Sequence, residues 1–122
     1  MKITTLTALA LLLTGTVAVA ECTQPEVPEL PNGAEAALED MLAGQKAMKA
    51  FQTANADYRT CLEQAYEAAA KAATKGSKDA KEEAKAAYAA GLDAYNEAVA
   101  TEEEVAGQFN TEIREYKAAN PS

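Results

Sequence analysis

The sequence predicts an all-α fold: a long antiparallel helical hairpin of coiled-coil type, preceded by an extended, proline-rich N-terminal arm. Three observations lead there. Strong helix formers (Ala, Glu, Lys, Gln, Leu, Met) dominate the chain, and no proline falls between Ala34 and Ala119. Apolar residues recur every seven positions on both sides of the chain's middle, which keeps one helical stripe facing a long partner. One break, Lys75-Gly76-Ser77, separates the two halves with a basic last turn, a glycine and then a new N-cap.

The chain opens with Lys2, an apolar run from Leu6 to Leu13, and the small-residue ending Ala18-Val19-Ala20. That is the pattern of a cleavable secretory signal over residues 1–20. The apolar run is short for a bilayer span, so an uncleaved anchor is the weaker alternative. Lipid attachment at Cys22 is disfavoured because Glu21, not a small residue, precedes it. Cleavage after Ala20 removes Lys2 and takes the net charge from −8 to −9. So acidic a chain lacks the basic footprint that nucleic acid and anionic lipid require. No later apolar run reaches membrane-spanning length. The expectation is a periplasmic or secreted protein without membrane insertion after signal removal.

Residues 21–32 form the arm. Pro25, Pro28 and Pro31 stand three apart and share one face of a polyproline helix. Cys22 and Cys61 are the only cysteines, and an exported chain with two reads as one intramolecular disulfide. A cysteine-linked dimer and a free thiol are the competing readings; a monomer is expected. With a helix starting near Gly33, Cys61 lies about 42 Å along it at 1.5 Å per residue. The arm from Cys22 to Gly33 reaches about 34 Å at 3.1 Å per residue, and a disulfide adds about 5.5 Å between Cα atoms. The two lengths match only for an arm stretched almost fully along helix 1. Such a bond closes a loop of about 40 residues, worth about 3–4 kcal/mol. A Pro-x-x-Pro recognition ligand is the alternative use of these prolines.

The helical domain is expected over residues 33–117. Asn32 and Glu35 have capping-box spacing, so helix 1 is expected from about Gly33 to about Thr74. Its stripe is Met41, Met48, Asn55, Leu62 and Ala69, interleaved with Ala37, Gly44, Phe51, Tyr58, Ala65 and Ala72. Helix 2 is expected from Lys78 to about Lys117, with a frayed tail over 118–122. Its stripe is Tyr88, Leu92, Tyr95, Val99, Glu102, Ala106, Phe109, Ile113 and Tyr116. Asn55 and Glu102 are polar interruptions, read as register control or, alternatively, as a mid-rod polar pocket. Thr101-Glu102-Glu103-Glu104 is a second capping box. The alternative architecture is therefore a three-helix bundle with a break near Thr101.

The order Cys22-x-x-Pro25-x-x-Pro28-x-x-Pro31-Asn32-Gly33-Ala34, then Met41, Gln45, Lys49 and Tyr58-x-x-Cys61-Leu62, resembles a recurrent pattern of small exported bacterial proteins of uncharacterised role. The resemblance covers the first half of the chain after residue 20. It implies an exported helical protein and carries no activity or site residue with it.

Catalytic chemistry finds little support. There is no histidine, the commonest general base and metal ligand. Paired cysteines offer no thiol nucleophile, and no phosphate loop, nucleophile elbow, Cys-x-x-Cys pair or calcium loop occurs. Glu102-Glu103-Glu104 reads as a solvated face rather than a cation site, since adjacent helical residues point apart. Lys71, Lys75, Lys78, Lys81 and Lys85 make a mildly basic tip, read as a solvated turn or as a contact for an anionic envelope component. No enzyme, cofactor or metal is expected. The function class is a small exported structural or interaction protein with an envelope partner. A periplasmic holdase-type chaperone and a small ligand- or ion-binding protein are the alternatives.

Overall fold

The computed structural model describes residues 21–122; the expected signal over 1–20 lies outside them. Among the described residues there are two helices and no strand. Helix α1 spans Leu38–Ala72 and α2 spans Lys78–Ala119, packed together as a hairpin. The connection turns at Gly76, whose φ of +90° favours glycine. Ser77 then caps α2, its Oγ accepting from the Ala80 N–H at 3.2 Å. Asp79 in the first turn and Lys117 in the last complement the α2 dipole.

The start of α1 is corrected. The capping spacing at Asn32 put it near Gly33, but the helix begins at Leu38. Asn32 closes a separate turn instead: its carbonyl accepts from Glu35 (3.1 Å) and Ala36 (2.8 Å), and its Oδ1 from Ala34 at 3.2 Å. The competing force is tertiary. The Gly33 N–H donates to Glu112 Oε2 at 2.6 Å, so α2 holds the turn. A Cβ at Gly33 would overlap the Glu112 carbonyl oxygen, which shows how closely the two backbones meet.

That turn relaxes the stretch demanded of the arm. Pro31 packs on Gly44, where a Cβ would sit 2.8 Å from its Cδ, while Cys22 pairs with Cys61. The arm from 22 to 31 covers about 28 Å at the polyproline rise, and α1 from 44 to 61 about 26 Å. It runs back along α1 without reaching the helix start, and the lengths agree.

The eight buried residues of α1 (Met41, Gly44, Met48, Phe51, Asn55, Tyr58, Leu62, Ala69) all lie on the expected stripe. In α2 the seam is turned by one residue. Ala84, Gly91, Ala98, Val105 and Phe109 are buried, while Leu92, Val99 and Ala106 are only partly so. Small residues let the backbones approach, and Tyr66 fills the space over Gly91, where a Cβ would lie 2.9 Å from its own. Close approach outweighs the larger side chains one position on. The core divides into two clusters, one around Met41, Met48, Phe51, Val105 and Phe109 and the other around Cys22, Tyr58, Leu62 and Ala98.

The three-helix alternative is also corrected: α2 runs through Thr101 unbroken. Ala84, Gly91, Ala98 and Val105 are spaced by seven, so a bend at Thr101 would carry Val105 and Phe109 off the seam. The arm, not a folded-back helix, supplies the third layer. Past the expected end at Lys117, α2 continues to Ala119, capped by Asn120, whose N–H donates to the Tyr116 carbonyl at 3.0 Å.

Asn55 is 2% exposed, and its amide donates to the Ala98 carbonyl at 3.0 Å across the seam. Asn55→Leu should leave stability equal or raised while admitting other alignments or oligomers, read by denaturation and light scattering. A loss beyond about 1 kcal/mol would make the bond worth more than apolar burial there. Glycines supply a contrast of sign. Gly33→Ala should cost about 1–3 kcal/mol through overpacking. Gly107→Ala, on an open helical surface, should gain about 0.5–1 kcal/mol.

Candidate functional site

The hairpin has two long sides, and the chain treats them differently. On one, the arm lies over the seam. Cys22 is buried against Tyr58, Leu62 and Ala98, its sulfur at bonding distance from that of Cys61, with the Cα atoms 5.6 Å apart. Leu62 is fully buried beneath this contact. The structure thus brings together the two cysteines that the sequence paired. At the arm's other end Leu30 packs on the Met41–Phe109 cluster. Between these anchors the arm is loosely held: Val27 is 51% exposed, and residues 23–31 make no hydrogen bond among the described residues. An open groove follows the arm beside α1, with Leu30, Pro31, Ala43 and Ala47 along it and Glu29, Glu35 and Asp40 at its rim.

On the opposite side none of the described residues covers the seam. Leu38 and Leu42 are 57% and 55% exposed. With Met41, Phe109, Ile113 and Tyr116 they surround a shallow apolar recess at the open end of the hairpin. An exposed leucine alone needs no explanation, but two on one ridge beside an aromatic floor make an exposed apolar patch.

Charge follows the same division. Helical periodicity puts Asp93, Glu97 and Glu104 on the α2 edge that carries Ala94, which packs on the Cys22 cluster, and Glu112, which holds Gly33. Asp40 and Asp57 lie on the facing edge of α1, and the arm adds Glu21, Glu26 and Glu29. Lys71 and Arg114 repeat the positions of Asp57 and Asp93 by whole heptads but lie beyond the ends of the arm; between residues 44 and 61 of α1 and residues 92 and 109 of α2 neither edge carries a lysine or arginine. Lys46, Lys49, Lys81, Lys85 and Lys117 fall on the outer or uncovered faces.

The mid-rod polar residues are occupied. Besides the Asn55 bond, Glu102 Oε2 meets Arg59 Nη2 at 3.5 Å across the two helices, both side chains about a quarter exposed. Arg59 Nε is buried with no hydrogen-bond partner, so the pairing draws the guanidinium inward at some desolvation cost. Glu102 is therefore engaged across the seam, away from Glu103 and Glu104. At the tip, Lys85 pairs with Glu82 at 3.7 Å, an exposed contact of little energetic weight. Small residues including Ala65, Ala69, Ala72 and Ala84 line a shallow groove there.

No sequence signal marks the tyrosine trio. Tyr66 meets Tyr88 edge-on at 5.7 Å and Tyr95 at 6.1 Å. The seven-residue interval of Tyr88 and Tyr95 was visible; their meeting with Tyr66 depends on helix register. No protein-family model matches the chain, and neither a curated protein nor a solved structure is similar to it.

Desolvation among these rings, then the charges of Glu63 and Glu67, raises the Tyr66 phenol above its ordinary 10.0. The fold thus prefers the neutral phenol. Its contribution is whole below the unfolded value near 10 and is lost as pH rises from there through the folded value. Denaturation midpoints at pH 9 and pH 11 should fall less between the two for Tyr66→Phe than for the wild type.

Proposed function

We infer that the chain is a small exported helical interaction protein, periplasmic or secreted, that works through its surface on an envelope partner and carries out no catalysis. The observation that carries the reading is the cysteine pair. A bond between Cys22 and Cys61 persists in an oxidising compartment, and the leader pattern of residues 1–20 is what would send the chain there. The likeness of residues 22–62 to a pattern of small exported proteins points the same way. Among the described residues no helix is long and apolar enough to cross a membrane.

For the working surface, the uncovered end around Leu38 and Leu42 supports binding. Those leucines contribute little to the hairpin, so their exposure is not a demand of the fold. The same patch favours a second reading, a holdase-type chaperone that offers a plastic surface with Met41 at its floor to unfolded clients. A specific partner would be captured stoichiometrically; a holdase would suppress aggregation of unrelated denatured proteins.

Leu42→Lys separates surface from fold. It should change stability by no more than about 0.5 kcal/mol, as exposed substitutions do. Crosslinking pulldown from the envelope with oxidised protein should lose its specific band in this variant. Retention of the band with Leu38 and Leu42 both changed to Lys would remove the patch from the reading.

A further inference from the structure

We propose that the groove between α1 and α2 is a peptide site, plugged in the oxidised chain by its own arm and opened when the Cys22–Cys61 bond is reduced, and that its better-matched ligand is an extended, proline-containing segment bearing positive charge. The proposal rests on the reading of the chain as an interaction protein and adds a second, regulated site to it.

The chemistry the groove accepts is visible in its occupant. Cys22 and Leu30 enter the core clusters, and Pro25, Pro28 and Pro31, at three-residue spacing, are half-buried along it. An extended chain with small or cyclic apolar side chains at every third position fits, and prolines lower the entropy of ordering it. The arm makes no backbone hydrogen bonds between residues 23 and 31. Another segment of like shape therefore has no ladder to reproduce.

The occupant is also mismatched in charge. Glu26 and Glu29 lie over edges that carry Asp40 and Asp57 on one helix and Asp93, Glu97 and Glu104 on the other. Like charges in this arrangement repel, and no lysine or arginine lies on those edges within the span of the arm. What holds the plug is covalent: the disulfide at Cys22, and the peptide chain at Gly33, gripped by Glu112. Tethering supplies a high local concentration that an unlinked acidic peptide would lack. A segment with the same apolar spacing and lysines in place of the glutamates would be attracted where the arm is repelled.

Opening is ordinary thiol–disulfide exchange. Cys61 is half-buried, the more exposed of the two bonded residues. A thiolate of a protein dithiol attacks one sulfur and forms a mixed disulfide, and its second thiol resolves that bond. The chain gains two thiols and two electrons, and the dithiol leaves as a disulfide. Residues 21–29 are then free to swing out from the Leu30 anchor, uncovering Tyr58, Leu62 and Ala98.

The test uses the full chain, oxidised and reduced with dithiothreitol. The probe is a fluorescent peptide of residues 22–29 carrying Cys22→Ser, Glu26→Lys and Glu29→Lys. Binding should be saturable for the reduced chain, at least tenfold weaker for the oxidised chain, and at least threefold weaker for the peptide that retains both glutamates. The Cys61→Ser chain should bind without reductant, and circular dichroism should show both helices intact after reduction. Equal binding to the two redox forms, or none to either open form, overturns the proposal. Equal affinity for the two peptides overturns the charge assignment. Helix loss on reduction also overturns it, since the bond would then hold the fold rather than a latch. The Leu42 surface is read on oxidised protein, so each result leaves that reading standing or falling by itself.

Discussion

Two helices packed side by side share only one narrow stripe, and every other property of this molecule follows from how that shortage is met. A helix of 35 residues and one of 42 present far more surface than a single seam covers. Marginal domains commonly add a staple when the core is thin. Here the staple is an extended segment laid across one side of the seam and tied at Cys61. Covering one side with the arm deepens the core twice over, at Leu62 beneath Cys22 and at the Met41–Phe109 cluster beneath Leu30. It also leaves the other side open, and the exposed leucines lie there.

The seam itself is aligned by agreement between independent devices. Asn55 bonds to Ala98, and Gly44 faces Phe109. In an antiparallel pair each step forward on α1 is a step back on α2, and both contacts belong to one register. That register places the reversal between Gly76 and Ser77, where the left-handed glycine and the new cap are found. It sets Met48 level with Val105, Leu62 with Gly91 and Ala69 with Ala84. Large residues on α1 thus meet small ones on α2 through the middle of the rod. A buried asparagine costs stability relative to leucine in such a seam but fits only one alignment. Arg59 and Glu102 add a cross-helix pair that is too exposed to hold much energy.

The sequence was readable where periodicity alone decides. The buried face of α1 was legible because Met41, Met48, Phe51, Tyr58 and Leu62 recur at heptad spacing, though Ala37 and Ala72 at the ends of the expected stripe are exposed. The cysteine pairing followed from count and compartment. The α2 seam was misplaced by one residue because hydrophobicity scores Leu92 and Val99 above Gly91 and Ala98. The deciding quantity was backbone approach, which depends on the absence of side chain. The capping signal at Asn32 was real but local: it closes one turn, and Glu112, 79 residues downstream, separates that turn from the helix. Thr101 likewise carried a valid capping motif inside a helix whose seam needed no interruption. In each case the local preference was correct and a distant contact outweighed it. The Tyr66 cluster and the inward pull on Arg59 were unreadable for the same reason, since both require the cross-helix register first.

Charge placement is the feature that packing does not explain. A solubilising surface needs net charge, and carboxylates spread evenly over the rod would repel one another less. Here nine of the 19 sit on the arm and on the two helix edges beneath it, while most of the basic residues lie on the outer faces and around the tip. The arm therefore lies over edges that carry its own sign of charge, and a covalent bond helps to make that arrangement lasting. Were the bond only a stability device, an uncharged or basic arm would bind the same groove at lower cost. An acidic arm over acidic edges is instead suited to leaving once untied, and the groove it vacates is left with apolar walls and a negative rim. Coupling of a reducible tie to a like-charged plug is what turns a two-helix hairpin from an inert rod into one with two states.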